Sequence, residues 1–318
     1  MKKTIAVLLT LVLAVSMFAC SKPAQEPQEP VRVAALAGPT GMGLAYLMQE
    51  QQDKYAVEIL TAPDQVTAKV ISGEVDIAAV PVNLAAVLNA KTEGKVKVAA
   101  INTLGVLYLL ENGNSIQSIE DLAGKTVYSV GQGSTPEYIL QVLLDAYGLK
   151  DSVTVEFIAD NAELITKLSD GSAELALLPE PHVSVATAQN ENVRVALKIN
   201  DLWAAKNDTQ IVQGVYVVRS EFLDAHKDLV DAFLADAAAS ANKVVTEADA
   251  PAVVVAQGII GKEPIAKKAI PNCNICLITG EEMRSNVSAM LKVLFDANPK
   301  SVGGAMPSDD FYYVANPS

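Results

Sequence analysis

The sequence has little of the side-chain chemistry on which enzymes and metal sites depend. Its 318 residues contain only two histidines, His182 and His226, and three cysteines. There is no HExxH pair, no Ser-His-acid arrangement and no phosphate loop of the G-x-x-x-x-G-K-[ST] type. No cluster of potential ligands has the spacing of a metal site. We therefore expect no catalysis, no cofactor and no bound metal.

Positive charge is also scarce. The chain has 24 Lys and Arg against 37 Asp and Glu, which gives a formal net charge of −13. This balance argues against a nucleic-acid partner and against a broad electrostatic attraction to anionic lipid. Beyond the N-terminus, no apolar stretch is long and continuous enough to predict a transmembrane helix.

The N-terminus reads as an export signal. Lys2 and Lys3 precede a short apolar run over residues 5–13, and Ala19 stands directly before Cys20. This order predicts a signal peptide at residues 1–19 and a lipidated Cys20 that anchors the protein outside the cytoplasm. Met17 and Phe18 depart from the usual lipoprotein pattern, so ordinary cleavage near Ala19 is the alternative. Residues 20–30, rich in Pro, Glu and Gln, predict a linker.

Two glycine turns follow β-like runs and precede helical patterns. The first run, residues 31–36, leads into Gly38-Pro39-Thr40-Gly41, and the second, residues 126–130, leads into Gly133-Ser134-Thr135. A hydroxyl at such a turn is a favoured helix N-cap. Each turn therefore predicts a strand, a tight glycine turn and a helix capped by a hydroxyl.

A second repeat is closer, because residues 69–81 align without a gap on residues 167–179. Each segment has a helical pattern, a glycine, an acidic residue, a short apolar strand and a final proline. Apolar runs separated by helices predict parallel strands that are covered on both faces. We therefore expect an α/β fold of two similar lobes, each a mostly parallel sheet flanked by helices.

The lobes are predicted from where the apolar crossings fall. Lobe 1 comprises residues 31–106 and 218–318, and lobe 2 comprises residues 107–217. The runs at 104–110 and 211–218 are interpreted as two hinge crossings, with a helical C-terminal third packed on lobe 1. A double crossing between similar lobes suits closure on a ligand.

These features resemble those of a known family, the type II periplasmic binding proteins of the nitrate, sulfonate and taurine group, which includes binders of thiamine precursors. The resemblance covers nearly all of residues 31–316, and its motifs are 37–40, 73–78, 119–127, 133–138 and 178–181. It implies a substrate-binding protein of an ABC importer, with a permease and its ATPase as partners, and we expect a monomer. Because the family binds its solutes between the lobes, it also implies cleft positions for Gly38, Pro39, Thr40, Gly41, Asn83, Gly133, Ser134, Thr135 and Glu180.

Several of these residues have a second interpretation. Thr40, Ser134 and Thr135 could serve only as helix caps, and Asn83 could cap a helix over residues 84–89. Glu180 and its neighbour His182 could bind solute or lock the hinge.

Residues elsewhere in the chain also have alternatives. Trp203 is expected to pack rather than to stack on a ligand, and His226 to be exposed. Cys273 and Cys276 could form a disulfide, a redox couple or two buried thiols, and the structural interpretation is favoured because a strand-like run follows them.

The expected solute is a small organic molecule that is anionic or zwitterionic. Glycine turns and helix ends offer neutral donors to an anion, and Glu180 would meet an amine. An inorganic oxyanion is the second choice, because Tyr108, Tyr138 and Tyr216 are expected near the lobe junction, where they could flank a flat ligand.

The alternative functions are a sensor lipoprotein and an enzyme like the cytosolic pyrimidine-synthesising relatives. The export signal and the single C-x-x-C argue against the enzyme.

Overall fold

The computed structural model describes residues 29–132 and 135–314. The chain divides into two units, Met1–Pro30 and Val31–Ser318. Of the first unit only Glu29 and Pro30 are described, and both are exposed. The predicted signal peptide and Cys20 lie outside the described residues. All elements named below belong to the second unit.

The described strands form two sheets. Their bounds are β1 Val31–Leu36, β2 Tyr55–Leu60, β3 Ile77–Pro81, β4 Val96–Leu104, β5 Leu107–Asn112, β6 Thr126–Val130, β7 Thr154–Ile158, β8 Leu175–Pro179, β9 Val193–Lys198, β10 Val212–Arg219 and β11 Ile275–Ile278. The six-stranded sheet has the order β11-β4-β10-β3-β1-β2, and the five-stranded sheet has the order β7-β6-β8-β5-β9. Each sheet is the centre of one lobe.

Helices flank both sheets. Their bounds are α1 Pro39–Met42, α2 Ala45–Glu50, α3 Pro63–Ser72, α4 Val82–Lys91, α5 Thr135–Ala146, α6 Asn161–Asp170, α7 His182–Gln189, α8 Ile199–Ala204, α9 Ser220–Ala225, α10 Lys227–Thr246, α11 Ala250–Ala256, α12 Glu263–Ala269 and α13 Gly280–Ala297. None of the helices in the described ranges has the length and apolar character needed to span a bilayer.

The predicted internal repeat is confirmed. Helices α3 and α6 both end at a left-handed glycine, Gly73 with φ 78° and Gly171 with φ 81°, which closes the helix and lets the chain turn into a strand. The strands that follow, β3 and β8, are buried over their first four residues and end at Pro81 and Pro179. Each occupies an interior position of its sheet.

Both sheets combine parallel and antiparallel pairs. In the first sheet β1 pairs in parallel with β2 and β3, and in the second β6 pairs in parallel with β7 and β8. Antiparallel strands extend each sheet on one side. The predicted α/β fold of two lobes is confirmed, but the sheets are mixed rather than mostly parallel, because β5 and β10, the strands that follow the two crossings, enter their sheets antiparallel to both neighbours.

The chain crosses between the sheets twice. Gly105 and Val106 connect β4 to β5, inside the predicted hinge at 104–110. The second crossing runs over residues 199–211 and includes α8. The predicted hinge at 211–218 therefore lies mostly after the second crossing. Its residues belong largely to β10, Val212–Arg219, which pairs with β3 and β4 inside the six-stranded sheet. The lobe boundaries proposed from the sequence stay a prediction, with β10 belonging to the sheet of lobe 1.

The C-terminal third contacts both lobes, which differs from the expected packing on lobe 1 alone. Strand β11 pairs with β4 in the first sheet, as the strand-like run had predicted. Helix α12, however, packs on α7, and α13 packs on both α4 and α5. The side-chain amide of Asn298 donates a hydrogen bond to the hydroxyl of Tyr138 in lobe 2 at 2.9 Å.

Candidate solute-binding site

The first predicted turn lies at the carboxyl end of β1, and its backbone is tightly held. The side-chain amide of Asn102 donates to the Thr40 carbonyl at 3.0 Å, and the Thr103 hydroxyl donates to the Pro39 carbonyl at 3.2 Å. A Cβ atom at Gly41 would lie 2.4 Å from the Leu36 carbonyl oxygen, so the turn requires glycine there. The loop is thus fixed against the first sheet.

Thr40 is not the N-cap of the helix, contrary to the expectation. Helix α1 begins at Pro39, and Gly38, with φ 86°, occupies the cap position without a side-chain hydrogen bond. Proline has a preset φ that suits the first helical position, and this moves the start of the helix towards the N-terminus. Thr40 is 7% exposed and lies inside a single helical turn.

The second turn is described only in part. Gly133 and Ser134 lie outside the described residues. Thr135 is the first residue of the twelve-residue helix α5 and is buried. Contact of these residues with solute stays a prediction.

Asn83 is not a helix cap either. Helix α4 begins at Val82 and has Pro81 in the cap position, so Asn83 is its second residue and is half-buried. Its predicted contact with solute is not tested by this placement.

A cavity of about 550 Å³ lies between the two lobes. One wall is the Ala37-Gly38 turn after β1, and the opposite wall is Pro181 and helix α7 of the second lobe. The loop between α11 and α12 supplies the third wall. The residues that line the cavity are Ala37, Gly38, Pro181, His182, Val185, Ala188, Gln189, Ile259, Ile260, Gly261, Lys262 and Ile265.

Of the predicted site residues that the structure describes, only Gly38 lines this cavity. The sequence does not predict the stretch 259–265 as part of the site, because its isoleucines, between two helices, have the pattern of ordinary core residues. The signal that could have found it is Gly261-Lys262, a turn that follows an apolar run at the end of a helix.

The cavity is mostly aliphatic, and its charges are few. No Asp or Glu is among its described lining residues. Burial lowers the pKa of His182, so the imidazole is neutral at pH 7. Lys262 is exposed, and within the described ranges it has no carboxylate at ion-pair distance. The lining therefore offers one cation and several neutral donors, but no counter-charge for an amine.

Glu180 is only 2% exposed and lies where the lobes join. Its carboxylate accepts hydrogen bonds from the Ser184 backbone N–H and hydroxyl, both at 3.1 Å. Burial raises its pKa to about 7, against the opposing effect of hydrogen bonds from Ser184 and from the Asn272 side chain. The carboxylate therefore accepts its hydrogen bonds from groups of the protein.

The three tyrosines expected to flank a flat ligand are buried, and none lines the cavity. The Tyr108 hydroxyl donates to the Asn272 carbonyl at 2.8 Å. Tyr216 is 1% exposed and packs edge-on against Phe233, with ring centroids 5.2 Å apart. The expected flanking role is wrong for Tyr216, because its side chain lies on the face of the sheet that helices cover.

The remaining sequence hypotheses concern single residues. Trp203 is 1% exposed and packs in the core, and His226 is exposed, as expected. Cys273 and Cys276 are free thiols, the first buried and the second half-buried. Burial raises the pKa of both thiols, that of Cys276 to about 11, so neither is a reactive thiolate at neutral pH.

Comparison with known proteins agrees with the fold. An ABC transporter structure from Parabacteroides distasonis has a TM-score of 0.79 and 24% identity, and covers 91% of this chain and 100% of its own. The periplasmic aliphatic sulphonate binding protein SsuA from Escherichia coli has a TM-score of 0.70 and 17% identity, covering 87% and 91%. The periplasmic nitrate-binding protein NrtA from Synechocystis PCC 6803 has a TM-score of 0.57 and 12% identity, covering 86% and 84%.

A comparison with curated proteins found no match. A family model described as NMT1/THI5 like matches residues 51–250, which is more than half of the chain. The match begins just after α2, includes both crossings and all of the predicted lobe 2, and ends at the start of α11, and it confirms the resemblance seen in the sequence. The chain belongs to the NMT1/THI5-like family.

Proposed function

We propose that this protein is a solute-binding lipoprotein of an ABC importer, held outside the cytoplasm by lipid on Cys20. It captures a small organic solute between its lobes and delivers it to a permease that works with an ATPase. The observation that carries the proposal is the cavity of about 550 Å³ between two repeated α/β lobes. Ligands of such sheets bind beyond the carboxyl ends of the strands, where Ala37 and Pro181 lie.

The fold similarity supports the transport role. Structures described as sulphonate- and nitrate-binding periplasmic proteins share the two-lobed architecture. A hinge of two crossings lets such lobes close on a solute and open again.

The lining supports an anionic solute with an apolar body. Aliphatic side chains form most of the wall, and Lys262 is the one cation among the described lining residues. A zwitterion fits less well, because Glu180 lies outside the lining and bonds to Ser184 instead. An inorganic oxyanion would leave most of the cavity unfilled and its aliphatic wall without a partner.

Native mass spectrometry of the purified protein tests the proposal. We expect a co-purified organic acid that is released on unfolding. Isothermal titration with that compound should show binding at a single site. Aliphatic sulfonates and carboxylates, nitrate and a neutral pyrimidine form the comparison panel. Binding of nitrate alone, or of none of these classes, would contradict the proposed solute class.

A further inference from the structure

The cavity between the lobes has an inner end and a mouth, which the exposure of its lining residues defines. Gly38, Ile259 and Ile260 are buried and mark the inner end. Gly261 and Lys262, the next residues of the same loop, are exposed and mark the mouth. The loop between α11 and α12 therefore runs from the inner end of the cavity out to solvent.

Helix α7 follows the same course on the opposite wall. Pro181 precedes this helix and lies against Gly38, because a Cβ atom added at Gly38 would be 4.0 Å from the Pro181 Cδ. His182, the first residue of α7, is half-buried beside this contact, whereas Gln189, the last residue, is exposed. The helix therefore begins at the inner end of the cavity and ends at its mouth.

One face of α7 lines the cavity with a polar, an apolar and a second polar side chain. His182, Val185 and Gln189 lie three and four residues apart, which places them on the same face of the helix. At a rise of about 1.5 Å per residue, His182 and Gln189 are separated by about 10 Å along the helix axis. The half-buried Val185 lies between them. A solute along this face meets polar groups only near its two ends.

The polar side chains of the cavity are available to a solute. In the described part of the chain the lining has three of them, which are His182, Gln189 and Lys262. None of these side chains hydrogen-bonds or forms an ion pair with another described residue. Gln189 and Lys262 come from opposite walls and are both at the mouth, while His182 is alone at the inner end.

The two ends differ in charge. At the mouth, the ammonium of Lys262 and the amide of Gln189 both donate hydrogen bonds, and the ammonium attracts an anion. At the inner end, burial lowers the pKa of His182, so its neutral imidazole offers one N–H donor and one acceptor. A second anion there would lose its water beside Ile259 and Ile260, with no cation among the described residues of that end. The inner end therefore suits an uncharged hydrogen-bonding group.

This inference rests on the proposed function, because it names the class of solute for the same cavity. We propose that the solute is an organic anion with an uncharged hydrogen-bonding group about 10 Å from its charge, and that His182 determines the specificity for that group. The acidic group binds at the mouth with Lys262 and Gln189, and the apolar middle contacts Val185. An acid that ends in a methyl group leaves the imidazole without a partner, which costs affinity.

Isothermal titration calorimetry of the full chain at neutral pH tests the proposal. The three probes have equal carbon chains, whose extended length matches the distance along α7. They are ω-hydroxyoctanoate, which ends in a hydroxyl, octanoate, which ends in a methyl, and octanedioate, which ends in a second carboxylate. We expect ω-hydroxyoctanoate to bind about tenfold more tightly than either of the others.

Three variants assign the two ends. His182→Phe keeps an aromatic ring without a nitrogen, so it should bind ω-hydroxyoctanoate and octanoate equally. His226→Phe is the matched control, because His226 is exposed and does not line the cavity, and it should keep the preference. Lys262→Gln should weaken the binding of all three probes by the same factor, because each has a carboxylate for the mouth.

Equal affinity of the wild type for ω-hydroxyoctanoate and octanoate overturns the proposal, and so does tighter binding of octanedioate. A preference that survives in His182→Phe, or that Lys262→Gln removes, overturns it because the ends are then assigned wrongly. Binding of none of the probes also overturns it. Each of these results leaves the proposed function intact if mass spectrometry finds a co-purified organic acid, whereas the absence of such an acid counts against the proposed function itself.

Discussion

The side-chain amide of Asn200 donates a hydrogen bond to the carbonyl of Gly105 at 2.7 Å, which joins the two segments that cross between the lobes. The same carbonyl accepts a second bond from the Asn274 side chain, also at 2.7 Å. Three distant parts of the chain therefore meet at one carbonyl. Motion of one crossing must involve the other and the C-terminal segment.

We expect Gly105→Ala to destabilise the fold. A Cβ atom there would lie 2.0 Å from Asn200 Oδ1 and 2.9 Å from the Ile211 Cβ, so both crossings must shift. Overpacking of this kind costs about 1–3 kcal/mol in the free energy of unfolding. Urea unfolding followed by circular dichroism measures it. Gly261→Ala is the matched control, since its added Cβ meets no atom within 4 Å. Equal stability of the two variants would contradict the steric role of Gly105.

Solute should bring the lobes together about Gly105-Val106 and residues 199–211. These are the described segments that connect the two sheets, and the cavity lies beside them. Closure makes the molecule more compact, so small-angle scattering should give a smaller radius of gyration with the identified solute. An organic cation of similar size is the control. No change with a bound solute would argue against a hinge.

Much of the fold could be predicted from local pattern. The repeat of residues 69–81 in 167–179 has glycine where the chain must adopt positive φ and apolar runs where strands are covered on both faces. These requirements are local, and they therefore leave a mark on the sequence. The start of α1 differs from the predicted one, because Pro39 favours the first helical position and outweighs the capping preference of Thr40.

The site was harder to predict, because its parts are distant in sequence. Ile259 meets Gly38 through a backbone hydrogen bond, in which the Gly38 N–H donates to the Ile259 carbonyl at 3.1 Å. Lys262 lines the same cavity as Pro181 where α12 packs on α7. Likewise, nothing in the sequence connects Tyr108 with Asn272, whose carbonyl accepts a hydrogen bond from the Tyr108 hydroxyl at 2.8 Å. Contacts of this kind follow from the topology of the sheets, which propensity and periodicity do not encode.

The export signal predicts that the Cys20→Ala variant loses its lipid and its association with membranes. Acylation requires the thiol that directly follows the small residue Ala19. Labelling of growing cells with a radioactive fatty acid tests this. Cys276→Ser should keep the label, because its thiol is half-buried at the first sheet. Label that persists in Cys20→Ala would show that the anchor is absent or lies elsewhere.

We expect Lys262→Gln to weaken binding of an anionic solute. The ammonium of Lys262 is exposed at the cavity, and exposed ion pairs contribute up to about 1 kcal/mol, so affinity should fall about threefold to fivefold. The loss should shrink at high salt. Lys268→Gln is the control, because Lys268 is exposed on α12 and does not line the cavity. Titration calorimetry measures both, and equal losses would contradict a direct role for Lys262.

The contribution of Glu180 to stability should decrease as the pH rises between about 4.5 and about 7, opposite in sign to that of His182, whose pKa burial lowers. Burial raises the pKa of Glu180 from 4.5 to about 7 in the folded protein. Below pH 4.5 the group is protonated in both states, so its full contribution is present. Between the two values the unfolded chain releases the proton first, and the contribution of Glu180 to the free energy of unfolding falls by at most about 3 kcal/mol before it levels off. Urea unfolding of the wild type and Glu180→Gln at several pH values measures this contribution as their difference, since the other carboxyls are common to both. A difference that stays constant with pH would show that the Glu180 carboxyl titrates normally.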